Sequence, residues 1–240
     1  MKNLITILSI ALIPIITGAQ TAQDRQVGDF TALEAGSSVK VVLIQGETNS
    51  VKVEADEKDL QNVTTEVKDG KLMISSKAKS EVTVYVTAKM LNSIEASGAA
   101  IIKSQNQIVA DKINIQSTGA SSIKLDIKAN EINSGVSGAG SLSFSGTTQT
   151  MMADVSGAGN LKAFKLEAEK VIVSTSGAGN AKLFAKNSLS AKSSGSGNIY
   201  FKGNPVEKSF EVSGAGSITK VNEDGEKGSL DSNMVKVGNV

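Results

Sequence analysis

The sequence predicts an all-β protein: a parallel β-helix or solenoid of ~19-residue, SGAG-containing coils with a less regular, β-rich N-terminal cap. Three observations carry that expectation. A tetrapeptide, SGAG or a close variant, begins at Ser97, Thr118, Ser137, Ser156, Ser176, Ser194 and Ser213, at intervals of 21, 19, 19, 20, 18 and 19 residues. Residues on both sides of it alternate apolar and polar, which is the period of a strand and not of a helix. Third, the chain of 240 residues holds 23 Gly but only 2 Pro, 3% aromatics and no Cys, His or Trp. Such a composition suits a thin interior filled by one layer of aliphatic side chains.

The elements follow in chain order. Lys2 gives a positive start, residues 4–16 form an almost unbroken apolar run, and Thr17, Gly18 and Ala19 are small residues suited to cleavage before Gln20. Residues 1–19 therefore read as a secretory signal peptide, too short to span a bilayer comfortably, and no second apolar run follows. With no Cys there is no N-terminal lipid anchor of the thiol-linked kind. The expected address is outside the cytoplasm, in the periplasm or at the cell surface. Residues 20–29 read as a linker.

Residues 30–96 read as a β region that caps the solenoid. Short strands are expected at 30–34, 38–45, 50–55, 63–68, 71–76 and 81–87, separated by turn signals at Gly36-Ser37, 46–49 and Asp69-Gly70. Asp69-Gly70 favours a two-residue hairpin, and 56–62 (DEKDLQN) suits one helical turn. An exposed terminal coil needs such a cap, because its open edge would recruit other chains.

Residues 97–220 are the repeat solenoid. Three residues before each tetrapeptide stand Ile94, Ile115, Ser134, Ala153, Val173, Ala191 and Phe210; five after its start stand Ile102, Ile123, Leu142, Leu161, Ala181, Ile199 and Ile218. The next column outward is Lys103, Lys124, Ser143, Lys162, Lys182, Tyr200 and Thr219, polar apart from the ring of Tyr200. Stacking at ~4.8 Å places each corner over the previous one, so Gly98, Gly119, Gly138, Gly157, Gly177, Gly195 and Gly214 supply the positive φ of one corner column. Asn160, Asn180 and Asn198 share another column, where side-chain amides can bond along the axis as a ladder. The alanines between the glycines are expected to stack where larger side chains collide, so a charge at Ala158 or Ala178 should damage the fold more than a change at Lys162. Residues 221–240 are polar, lack the repeat and read as a tail.

Reiterated SGAG with flanking strands, preceded by SSVKVVLIQGETNSVKVEADEKDLQNVTTEVKDGKLMISS, resembles the putative auto-transporter adhesin head GIN domain family, exported β-helical proteins of Bacteroides-type bacteria. The resemblance covers about 30–221. It implies an exported β-helical surface module, and it brings no catalytic motif. An autotransporter also carries a membrane barrel of ~10-residue alternating strands with aromatic girdles, and no such series is found in these residues.

The chemistry open to the chain is narrow. Without His or Cys, the commonest acid–base group and the thiol nucleophile are missing, and no cofactor or metal site is expected. Charges nearly cancel, at 25 Lys+Arg against 24 Asp+Glu, which argues against nucleic acid as a partner. β-Solenoids can host glycan lyases and hydrolases, but these need paired carboxylates. The acids of the repeats (Asp111, Asp126, Glu131, Asp154, Glu167, Glu169, Glu207 and Glu211) fall at different phases. Asp56, Glu57 and Asp59 lack the spacing and the Gly of a Ca²⁺ loop. SGAGN is no phosphate loop, since neither Gly-Lys-Ser/Thr nor a helix follows. The remaining candidate is a polar binding stripe formed by Lys103, Lys124, Lys162, Lys182 and Tyr200. It suits an anionic glycan, a lipid head group or another envelope or host component; the plainer alternative is a solvated strand face that resists aggregation. The leading expectation is thus a non-enzymatic exported binding or structural module. A carbohydrate-active enzyme (glycan lyase or hydrolase) and a periplasmic scaffold or self-associating protein are the alternatives.

Overall fold

Apolar alternation fixes which side of each strand turns inward, and the computed structural model, which describes residues 20–222, shows where the inward sides meet. The N-terminal elements are β1 (Gln20–Arg25), β2 (Ala32–Ala35), β3 (Lys40–Gln45), β4 (Ser50–Asp56), β5 (Val63–Lys68), β6 (Lys71–Ser76), β7 (Thr83–Ala88) and β8 (Ser93–Ala96). The expected helical turn is present as a 3-10 helix over Glu57–Asn62. The buried Asp59 carboxylate holds it, accepting from the Ser80 hydroxyl at 2.7 Å and from the Asn62 amide at 3.1 Å. The expected hairpin joins antiparallel β5 and β6, with Asp69 and Gly70 at φ 51° and 73°.

The repeat follows as β9 (Ile101–Gly119), β10 (Ser122–Gly138), β11 (Ser141–Gly157), β12 (Asn160–Gly177), β13 (Asn180–Gly195), β14 (Asn198–Lys202), β15 (Glu207–Gly214) and β16 (Ser217–Lys220). Each of β9 to β13 is extended backbone for nearly a whole coil and breaks only at the SGAG corner. Successive coils pair in parallel, with Ile123 on Leu142, Leu142 on Leu161 and Leu161 on Ala181. The chain is a parallel β-solenoid of about seven turns with coils of roughly 19 residues. Every member of the column from Ile102 to Ile218 is buried. Inside, the core is largely aliphatic, with Phe30, Phe144 and Phe201 spaced along it, and in the last coils Phe201 meets the partly buried Phe210 at 5.6 Å between ring centroids.

Three findings correct the expectations. Residues 20–29 are not simply a linker, since β1 pairs antiparallel with β4. Residues 30–45 do not stand apart from the stack: β2 pairs in parallel with both β6 and β8, and β3 with both β7 and β9. The chain therefore lays down this rung, leaves to build the antiparallel strands β4 and β5, and returns to place β6 and β7 on its other side. Capping of the first rung falls to β1, β4 and β5. Finally, Ala158 and Ala178 are exposed, so their methyl groups point to solvent at the corner and not into the stack. The crowded positions are the two glycines of the tetrapeptide, on either side of the alanine. A Cβ built on Gly179 would lie 2.6 Å from the Gly159 carbonyl oxygen and 2.7 Å from Val155.

The corner column itself has one more member than the glycines suggested. Positive φ runs from Ser37 (61°) through Gly98 (66°), Gly119 (72°) and Gly138 (91°) to Gly214 (103°). Backbone N–H groups of Ala99, Ala120, Ala139, Ala158 and Ala178 donate along it to the carbonyls of Ser37, Gly98, Gly119, Gly138 and Gly157, at 2.8–2.9 Å. The signal peptide expected at 1–19 lies outside the described residues, as does the tail beyond residue 222.

Candidate functional site

Strand alternation sends the residue after each buried +5 position outward, and parallel stacking lines those residues up. Lys103 pairs with Lys124, Lys124 with Ser143, Ser143 with Lys162, Lys162 with Lys182, Lys182 with Tyr200, and Tyr200 with Thr219. Toward the N-terminus the row continues through Val42, Tyr85 and Lys52. All four repeat lysines are exposed and Tyr200 is half-buried. From Lys103 to Tyr200 the row covers six rungs, whose five spacings make roughly 24 Å.

The electrostatics of this face differ from those of the others. The seven stacked segments 101–104, 122–125, 141–144, 160–163, 180–183, 198–201 and 217–220 read IIKS, SIKL, SLSF, NLKA, NAKL, NIYF and SITK, without one acid. Among the described residues, Lys103, Lys124, Lys162 and Lys182 make no ion pair, and neither do Lys128, Lys165, Lys170 and Lys208, whereas three lysines of other faces in the repeat do. Lys112 sits 2.8 Å from Glu131, and Lys192 sits 2.8 Å from Glu211. Lys186 bridges Glu167 at 3.1 Å and Glu169 at 3.4 Å. These pairings show in the proton affinities: Glu167 first, then Glu169, raise the pKa of Lys186 above its ordinary value, and Lys112 lowers that of Glu131. At the far end of the row the Glu54 carboxylate raises the Tyr85 phenol in the same way.

At the C-terminal half of the face a shallow groove of about 380 Å³ opens, lined by Asn160, Lys162, Phe164, Asn180, Lys182 and Tyr200, with Leu161 and Val221. Its volume falls within the range of small-ligand pockets. Phe164 has no counterpart in the repeat. It lies where β12 carries extra residues, Ala163 pairing with Leu183 but Glu167 already with Phe184. The bulge puts its ring among the lysines, with the Lys182 and Lys202 ammonium nitrogens 5.9 and 5.2 Å from the centroid. Along one side runs the amide column: Asn180 donates to the Asn160 side-chain oxygen at 3.5 Å, Asn198 donates to that of Asn180 at 3.3 Å, and the Ser217 hydroxyl to Asn198 at 2.7 Å.

The groove thus unites Lys162, Lys182 and Tyr200 of the expected stripe, while Lys103 and Lys124 share its face but not its walls. Phe164 and Lys202 escaped the sequence reading because neither belongs to a repeated column of lysines. The 20-residue interval from Ser156 to Ser176, one longer than its predecessor, was the available signal of an insertion.

Of the repeat's acids, only Glu167 and Glu169 meet on a shared partner, Lys186, beside a second groove. The Lys186 ammonium thus ties the two carboxylates together, and Glu169 also accepts from the Asn187 amide at 2.7 Å. No group of acidic residues able to hold a metal ion occurs among the described residues. Nor does any described helix have the length and apolar character to cross a membrane.

A family model described as "Putative auto-transporter adhesin, head GIN domain" matches residues 29–205. Solved structures share the fold. A putative adhesin from Bacteroides fragilis is 25% identical, with a TM-score of 0.80 over 85% of this chain and 98% of that one. A putative lipid binding protein and a putative adhesin, both from Parabacteroides distasonis, are each 22% identical, with TM-scores of 0.70 and 0.69 over 85% of this chain and 98% of theirs. A search of curated proteins finds no match.

Proposed function

The chain belongs to the putative auto-transporter adhesin, head GIN domain, family, and from that premise we propose that it is an exported, non-catalytic surface-binding module that meets an anionic polymer through its lysine face. The acid-free composition of seven stacked segments carries the reading. Solubility alone asks for mixed charges, and the other faces have them. A single-sign face, by contrast, raises the local concentration of an oppositely charged partner and speeds its encounter. An extended, regular row suits an extended, regular ligand, and acidic polysaccharide of a cell envelope or host surface has that form. The carbohydrate-active enzyme draws no support from the family match, and the Glu167 and Glu169 side chains are engaged by Lys186 and Asn187.

Retention on alginate beads against neutral agarose tests this. The protein is expected to bind the alginate and to elute as salt screens the face, since the Debye length falls from about 10 Å at 0.1 M to about 3 Å at 1 M. A variant with Lys103, Lys124, Lys162 and Lys182 all changed to serine, the residue already present at Ser143, is expected to pass unretained. If that variant binds alginate as the parent does, the lysine face is not the binding surface.

A further inference from the structure

We infer that the groove between Phe164 and Tyr200 is a subsite for one acidic sugar unit, a uronate, of such a polymer; this rests on the binding reading above and adds a place and a ligand class to it. The row of lysines supplies charge at several rungs of the face, and at this groove cations, rings and amides converge. Lys162 and Lys182 stand on adjacent rungs in the groove wall. Phe164 brings the ammoniums of Lys182 and Lys202 to within 6 Å of one ring, so neighbouring positive charges are gathered against their mutual repulsion by the electron-rich ring face. Phe164 is thus a positioning residue. Tyr200 presents an apolar ring with a hydroxyl tip, the pairing that meets the C–H face of a pyranose and its hydroxyls together. Asn160 and Asn180 each spend one amide N–H, Asn160 on the Ala158 backbone carbonyl at 3.5 Å and Asn180 on the Asn160 side-chain oxygen at 3.5 Å. The second N–H of each remains for ligand hydroxyls.

The groove also discriminates against a flat anionic membrane. Its rings are half-buried beside exposed lysines, while the exposed large apolar side chains, Met90, Ile101, Val109, Ile172 and Val206, lie outside its lining, Ile101 alone being on the lysine face. A face built to enter lipid would project such groups beyond the cations.

Titration calorimetry with oligogalacturonate, its neutral methyl ester and phosphatidylglycerol vesicles tests the assignment on the full chain. The acidic oligomer is expected to bind, the ester and the vesicles not. The double variant K162S/K182S should bind roughly tenfold more weakly or worse, as expected for losing a charge-assisted contact, and its binding should depend less on salt. Y200T, which places the residue of Thr219 one rung earlier, should weaken binding several-fold while leaving the salt dependence unchanged. K103S/K124S, on the same face but outside the groove, should bind the short oligomer as the parent does. Equal losses in K103S/K124S and K162S/K182S would overturn the groove while leaving the charged face intact. Retention on alginate without any binding of the oligomer would do the same. A preference for vesicles over the acidic oligomer would replace the sugar with a lipid head group and overturn the inference outright.

Discussion

Gly177→Val is expected to destabilise the solenoid by about 3–5 kcal/mol, read from urea melts followed by far-UV circular dichroism. Two independent faults add at this position. Its φ of 93° lies where a β-branched residue is strained, and a Cβ there would lie 2.6 Å from the Gly157 carbonyl oxygen of the coil below. That carbonyl accepts the Ala178 N–H at 2.8 Å, so it cannot retreat without breaking the corner ladder. Because each coil touches mainly its neighbours, the damage should show as a separate early transition of the later coils. The adjacent Ala178→Lys supplies the control: its side chain is exposed at the corner, and the expected change is within about 0.5 kcal/mol.

Leu161→Asp and Lys162→Asp, one residue apart, should fail in opposite ways. Leu161 is buried between Leu142 and Ala181. A carboxylate there loses the packing of the leucine and meets no cation, a cost of about 5 kcal/mol or more, so the variant should lose cooperative melting. Lys162→Asp points to solvent and should melt within a few degrees of the parent. It should instead lose alginate binding, because it places an anion in the groove wall. Binding lost without stability at position 162, and stability lost at 161, would mark the inner and outer sides of one strand.

How much of this was legible beforehand divides along the periodicity. The seven corners, the buried column from Ile102 to Ile218 and the outward row from Lys103 to Thr219 repeat residue by residue, so stacking could be read directly. Ser37 was hidden because it performs the glycine's conformation with a side chain, and its neighbours GSS only faintly echo SGA. The rung made by β2 and β3 was hidden for a different reason. Its partners β6 and β7 follow later in the chain, and periodicity records order along the sequence, not insertion between rungs. The exposure of Ala158 and Ala178 is not legible in the sequence because small residues recur both where space is lacking and where a corner turns sharply. Phe164 is the costliest omission. A bulge breaks the column alignment, and the residue it expels is invisible to any method that compares like positions; yet that irregularity is what forms the groove.

The most direct test of the binding account is to titrate isotopically labelled protein with oligogalacturonate and map the amide shifts. The account predicts saturable shifts clustered at Lys162, Phe164, Lys182 and Tyr200, with smaller ones at Asn160 and Asn180, and none on the Glu131, Glu169 and Glu211 faces. Shifts spread evenly over those acidic faces, or confined to the β5–β6 hairpin, would contradict it.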